Sequence, residues 1–352
     1  MTLSALRRRL IAASASAAML AGAAVPALAA DGVLNLYSAR HYNTDEALYA
    51  DFTKQTGIKI NRIEAGDEAL LERLRTEGRN SPADVLLLVD AARLWKAQID
   101  GMLQPVRSKV LDARIPAHLR GKDDGQGSEW YAFSTRARII VYNRDAVRPD
   151  QVRNYEDLAS PAMKGKVCTR SANHPYMLSL IGALSEHLGE AKTEEWARGV
   201  VANFARSPRG GDTDQIRAVA TGECGVALTN TYYLVRLLRS NAPADKEAVA
   251  KLGVVWPNQK SFGTHVNVSG GGVMKNAPNR EAAVKFLEYL ASDAAQAYLA
   301  NGNNEWPVVA SAVARNAELE SLGTFKADTL SIASIGRAQV TAAKIADRVG
   351  WR

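Results

Sequence analysis

The chain has 352 residues, 44 lysines and arginines against 37 aspartates and glutamates, a formal charge of +7, and two cysteines. Its basic residues are dispersed, with no basic block and no interleaved aromatics, which excludes a nucleic-acid surface of the usual kind. It holds no repeat, low-complexity tract or coiled coil, and past the N-terminus no run is long and apolar enough to span a bilayer.

The first thirty residues read as a signal peptide. Arg7, Arg8 and Arg9 form a positive n-region, Leu10 to Val25 is a short apolar run, and Ala27-Leu28-Ala29 is a small-x-small cleavage site, with cleavage near Ala29 or Ala30. Arg7-Arg8 followed by Arg9-Leu10-Ile11 also resembles a twin-arginine signal, so export by the general secretory route or the twin-arginine route is left open. Either leads to a bacterial periplasm. Removing three arginines and no acid takes the charge from +7 to about +4. The mature length, a little over three hundred residues, suggests two domains.

The mature chain opens with alternating units. Val33–Ser38 reads as a strand. Asn43 to Gln55 reads as a helix, with Asn43 as cap and Glu46 bonding back in a capping box, Leu48 and Phe52 inward, and Gly57 as the stop. Ile58 to Ile63 is a second strand, and a helix with Leu70, Leu71 and Leu74 follows and ends at Gly78. Val85 to Val89 is an unbroken apolar run, suited to a strand covered on both faces. This βαβαβ order predicts an α/β lobe with a mainly parallel sheet.

Trp130 to Asn143 reads as one long strand that crosses into a second lobe. Further units follow: a strand near Val167-Cys168, helices over Pro175 to Leu188 and near Glu194 to Asn203, and the apolar strand Gly225-Val226-Ala227-Leu228. Phe262 to Met274 is the expected return crossing. Gly270-Gly271-Gly272 lies inside it and reads as a bulge or a close backbone contact. One helix from Asn279 to Ala300, with Ala283, Phe286, Leu287, Leu290 and Ala294 at helical spacing, is expected to pack back on the first lobe. The tail, Leu319 to Trp351, reads as helical. Two crossings between two α/β lobes make a hinged cleft. The expected division is 31–133 with 264–305 for the first lobe and 134–263 with 306–352 for the second. Cys168 and Cys224 are expected to form one disulfide closing a long loop, since exported pairs oxidise. Two buried free thiols are the alternative, and no spacing motif supports a two-cysteine metal site.

The chain lacks a phosphate loop, a dinucleotide-binding Gly-x-Gly-x-x-Gly after a strand, His-Glu-x-x-His and Gly-x-Ser-x-Gly. No spacing singles out a nucleophile and its base, which weighs against an enzyme. Three strand ends instead offer phenols. His41-Tyr42 follows the first strand, Tyr176 follows the strand of Cys168, and Tyr232-Tyr233 follows the strand after Cys224. Singly, each is better read as a structural tyrosine. Their shared placement at carboxyl ends of strands, where α/β folds bind ligands, points to a site. On a regular strand Tyr232 and Tyr233 would point to opposite faces, so facing one crevice requires irregular backbone, as in a loop. Phenolate is a hard anionic ligand suited to Fe(III). Four phenolates would exceed its charge by one, and Arg40 is a candidate counter-cation or an ordinary packing residue. Glu64 and Asp67 read as a solvated turn and helix start.

Leu36 to Asp45, Asn80-Ser81-Pro82-Ala83-Asp84-Val85, Asn230-Thr231-Tyr232-Tyr233, Val266 to Gly270, Glu305-Trp306-Pro307-Val308 and Asp347 to Trp351 closely resemble periplasmic ferric-iron-binding proteins. The resemblance covers nearly the whole mature chain. It implies a two-lobed type II periplasmic binding protein fold, closure on Fe(III), and delivery to an inner-membrane ABC permease by a monomer. It implies Tyr42, Tyr176, Tyr232 and Tyr233 as ligands with His41 as a fifth. It places the chain with the tyrosine-rich members, which need little or no external carbonate or other synergistic anion. The same fold binding a polyamine, thiamine, phosphonate or sulfate is the alternative reading. An exported enzyme is a third.

Overall fold

The computed structural model describes residues 32–40, 43–121 and 123–352. The segment read as a signal peptide lies outside the described residues, as do His41 and Tyr42. Nine strands form one sheet: β1 (Val33–Ser38), β2 (Lys59–Glu64), β3 (Val85–Leu88), β4 (Tyr131–Asn143), β5 (Val167–Cys168), β6 (Val226–Asn230), β7 (Leu252–Val255), β8 (Val266–Val273) and β9 (Trp306–Pro307). The first helices are α1 (Asp45–Thr56), α2 (Asp67–Glu77), α3 (Ala91–Ile99) and α4 (Lys109–Arg114). Next come α5 (Pro175–Leu188), α6 (Glu190–Ala202), α7 (Asp212–Ala220), α8 (Thr231–Leu238) and α9 (Pro243–Ala250). The chain ends with α10 (Arg280–Leu290), α11 (Asp293–Asn303), α12 (Ala317–Glu320) and α13 (Ile332–Val349).

The order β2-β1-β3-β8-β4-β6-β5 makes a two-lobed α/β molecule with β4 common to both halves. Residues Tyr131 to Ala137 pair with β8, whereas Arg138 to Tyr142 pair with β6. β1, β2 and β3 are parallel, as the βαβαβ pattern requires, and so are β5 and β6. The return strand β8 runs antiparallel to both β3 and β4, so the sheet is mixed rather than mainly parallel. All four residues of β3 are buried, which fits a strand covered on both faces.

One hydrophobic cluster, with Leu36, Phe52, Leu86 and Phe286, fills the first half. Two more, around Leu180 with Trp196 and around Ile216 with Leu234, fill the second. α13 joins them: Ile332 and Ile335 pack in the first cluster, and Ala342, Ile345 and Val349 in the second. Cys168 and Cys224 are disulfide bonded, closing the expected loop.

Three local expectations differ from the structure. The helix expected over Asn279–Ala300 is two helices, because Ser292 takes an extended backbone and its hydroxyl accepts the Ala295 N–H at 3.2 Å, starting α11 afresh. The tail breaks likewise: α12 ends before Gly323, which adopts a φ of 77°, and Ser331 caps α13 through the Ser334 N–H. The capping box at Asn43 and Glu46 is not made. Thr44 stands at the cap without a capping side-chain bond, its hydroxyl donating to Asn303 instead, and Glu46 turns to Arg62, an oppositely charged group on β2.

The glycine run in β8 is a close backbone contact. A Cβ on Gly271 would lie 2.4 Å from the Leu86 carbonyl, and one on Gly270 would lie 2.4 Å from the Tyr131 carbonyl. Because these neighbours are backbone, they cannot turn aside. Gly271→Ala is therefore expected to cost roughly 1–3 kcal/mol in urea denaturation, the usual penalty of overpacking. Ala at Gly66, where a Cβ meets nothing within 4 Å, is the matched control and should be near neutral.

Candidate metal centre

The carboxyl ends of β1, β2, β3 and β5 converge on one cavity of about 330 Å³. It is lined by Arg40 after β1, Glu64 and Asp67 after β2, Val89 after β3, and His174 with Tyr176 after β5. Both halves of the sheet thus present strand ends to the same space, the placement expected of a ligand site in an α/β fold.

Tyr176 is held at the start of α5. Pro175 supplies the first helical residue, and the His174 ring caps the helix, its Nδ1 accepting the Tyr176 N–H at 3.2 Å. Burial first, and the charge of Arg170 next, hold His174 down at about 3, so the ring stays neutral and can accept that bond. Tyr232 and Tyr233 occupy the first turn of α8, which begins directly where β6 ends at Asn230. The expected irregular loop is absent. A helix turns about 100° per residue, so adjacent side chains diverge without pointing to opposite faces. The two rings lie 4.3 Å apart, tilted by 33°.

The Tyr232 hydroxyl donates to the Tyr176 hydroxyl at 3.1 Å, so two strand-end motifs 56 residues apart meet through their phenol oxygens. Tyr232 is fully buried, Tyr176 is nearly so, and Tyr233 is half-buried. Burial raises the Tyr176 phenol above its ordinary value, with Arg136 opposing the shift. Guanidiniums sit on the rings: Arg136 and Arg170 each 5.3 Å from the Tyr176 ring centre, and Arg236 5.5 Å from that of Tyr233. At Tyr176 the Arg136 charge favours the phenolate, against the burial.

Of the five residues singled out in the sequence, the structure brings together Tyr176, Tyr232 and Tyr233, while His41 and Tyr42 lie outside the described residues. Arg40, just before them, is buried in a network of its own, bonded to Asp45 at 2.6 Å and to Glu305 at 3.2 Å. Asp67 is only partly a solvated helix start. It lines the cavity, and burial lifts its carboxyl to about 6. Among the described residues no group of three or more His, Cys, Asp or Glu could hold a metal.

Sequence reasoning passed over Arg136, Arg138, Arg170 and Asp212. Arg136 and Arg138 stand at alternate positions inside the otherwise apolar β4 and are both 1 % exposed. Two charges on one face of a core strand demand buried partners, and that was a readable signal. Asp212 carried none.

Fold and site together define a two-lobed α/β protein whose strand ends meet at a cavity lined by Tyr176. Residues 47–327 match the model of the bacterial extracellular solute-binding protein family. Iron uptake protein A1 of Synechocystis sp. is 52 % identical over 91 % of this chain and 87 % of that protein. A Trichodesmium structure in complex with iron and citrate ligands superposes with a TM-score of 0.85 at 50 % identity, covering 91 % of this chain and all of that one. The ferric binding protein from Campylobacter jejuni gives 0.85 at 41 % identity, again over 91 % of this chain and 100 % of that chain. The chain therefore belongs to the bacterial extracellular solute-binding protein family, among relatives named for iron uptake and ferric-iron binding.

The buried phenols carry a stability signature. Burial raises Tyr176 and Tyr155 above their ordinary values. A folded-state pKa above the unfolded one stabilises fully below the unfolded pKa of about 10, and that contribution is lost as pH rises beyond it. The thermal midpoint of metal-free protein is expected to hold through neutral pH and fall above about pH 10. Ultraviolet difference titration should show the last tyrosines ionising only with unfolding. Complete ionisation while the chain is still folded would contradict this.

Proposed function

We propose that this protein is a periplasmic solute-binding protein that captures Fe(III) between its lobes through tyrosine phenolates and delivers it to an inner-membrane ABC permease. The ligands are Tyr42, Tyr176, Tyr232 and Tyr233, with His41 as the fifth. The hydrogen bond between the Tyr176 and Tyr232 hydroxyls, with the Tyr233 ring against Tyr232, carries the reading. It supports two hard oxygens converging on one point from separate strand ends, a donor set that suits a trivalent cation and little else.

The moving bodies are 31–133 with 264–305 and 134–263 with 306–352; separate hydrophobic clusters support two bodies, while Val308, Val309, Ile332 and Ile335 pack with the first cluster across that boundary. Capture follows from the chemistry. A phenol near pH 7 keeps its proton, so each ligating tyrosine must release one as iron binds. The guanidiniums on the Tyr176 and Tyr233 rings oppose the charge excess of four phenolates on a trivalent ion. Ligands from both lobes make the closed state the one that iron stabilises, by its differential affinity. The closed form is what the permease recognises. A small anion such as carbonate fills any coordination position the side chains leave. The site performs no turnover, since a centre filled by phenolates leaves no room for a reacting substrate. The protein works as a monomer at the membrane surface, exported by its N-terminal segment.

Titration of metal-free protein with ferric citrate should give a phenolate-to-iron charge-transfer band that saturates at one equivalent. The band should vanish in the Tyr232→Phe, Tyr233→Phe double variant. Loading in weak buffer should release protons, and the band should fade on acidification as phenols recover them. No band in wild type would move a polyamine or oxyanion cargo to the front.

A further inference from the structure

We propose that Asp212 is the positioning residue of the cargo site, the single group that holds Tyr176 and the Tyr232-Tyr233 turn in one frame. This rests on the ferric reading above. Asp212 opens α7, is fully buried, and touches neither the phenols nor, on that reading, the cargo. Its carboxylate does three things at once. It accepts the backbone N–H of Asn230 at 2.8 Å, which fixes the residue from which α8 and its tyrosine pair start. It accepts Arg170 Nη1 at 3.2 Å, and Arg170 lies on the Tyr176 ring. It also pairs with Arg138, whose Nη1 in turn donates to the Asn230 side-chain oxygen at 3.1 Å and whose Nη2 lies 3.2 Å from the Met177 sulfur, next to Tyr176.

Two arms therefore leave one carboxylate. One ends at the Tyr176 ring through Arg170. The other ends at the first residue before the Tyr232-Tyr233 turn. The Tyr176–Tyr232 hydrogen bond closes the ring between them. Among these groups two guanidiniums face one carboxylate, so the cluster keeps a net positive charge beside the phenols. By itself burial would raise the Asp212 carboxyl, but Arg138 and Arg170 outweigh it and hold the group below the ordinary carboxylate value. The two guanidiniums thus favour the ionised form of the anchor. Groups that orient first ligands in this way typically alter metal affinity ten- to a hundredfold when removed.

Asp212→Asn keeps the shape and an oxygen for the Asn230 N–H but releases the ionic grip on Arg170 and Arg138. In metal-free crystals of the variant, the Tyr176 and Tyr232 oxygens are expected to part beyond hydrogen-bond reach, about 3.5 Å. Ferric affinity, read from the charge-transfer band against citrate, should fall at least about tenfold. An unchanged phenol pair, or an affinity within about twofold of wild type, overturns the proposal. Circular dichroism of the metal-free variant checks folding. Should Asp212→Asn not fold, Arg170→Gln decides instead, because it keeps the Asn230 bond and removes only the arm to Tyr176. The same separation of the phenol pair is expected there, and an intact pair overturns it. If wild type shows no band, the ferric reading fails on its own, and the crystal comparison still decides the role of Asp212.

Discussion

A buried phenol hydroxyl has to place its proton somewhere, and here Tyr232 places it on Tyr176. Much of the molecule can be understood as the means of keeping that bond. β5 and β6 are parallel neighbours, so the segments leaving their carboxyl ends start side by side. His174 and Pro175 start one helix and Asn230 the other, each with its tyrosine in the first turn. The bond itself contributes little, on the order of 1 kcal/mol net. Its value is geometric: two oxygens are already adjacent in the ligand-free protein, so on the ferric reading ordering them adds little to the cost of binding.

The second constraint lies at the crossing between lobes. β4 serves both halves of the sheet, and its alternate positions Ser134, Arg136 and Arg138 are all buried. Around them runs a polar chain. Glu305 accepts from Ser134 at 3.0 Å and from Arg40 at 3.2 Å, and Ser269 accepts from Arg136 at 2.8 Å. Across the same region Asp90, at the end of β3, accepts from Ser179 on α5 and from Asn267 on β8. Buried charges and amides of this kind demand specific partners, so the lobes meet in a defined register rather than through a greasy seam. The α13 helix, packed in both cores, adds an apolar splint beside the polar one.

How much of this could be read from residues alone depended on the range of the interaction. The βαβαβ opening, the long crossing strand and the Pro175–Leu188 helix are written in local periodicity and were legible. The breaks at Ser292 and Gly323 were harder, because helical spacing of apolar residues continues past a cap that only the backbone reveals. Three of the five candidate residues, Tyr176, Tyr232 and Tyr233, sit together, the proximity that their strand-end placement suggested. Asp212 was beyond reach, since its partners lie 18, 42 and 74 residues away and nothing in its own neighbourhood advertises burial. Arg136 and Arg138 lay between: the sequence showed charge in a core strand without showing what it was for.

The disulfide joins Cys168, the last residue of β5, to Cys224, two residues before β6. These are the strands that launch Tyr176 and Tyr232. A covalent tie therefore couples the two strands from which both arms start. Besides the disulfide, the strands share a two-residue ladder, Val167 to Val226 and Cys168 to Ala227, and the Gly225 and Val226 N–H groups donate to the Lys166 carbonyl. On the ferric reading, the grip of the phenols on the cargo would then depend on both cysteines being oxidised.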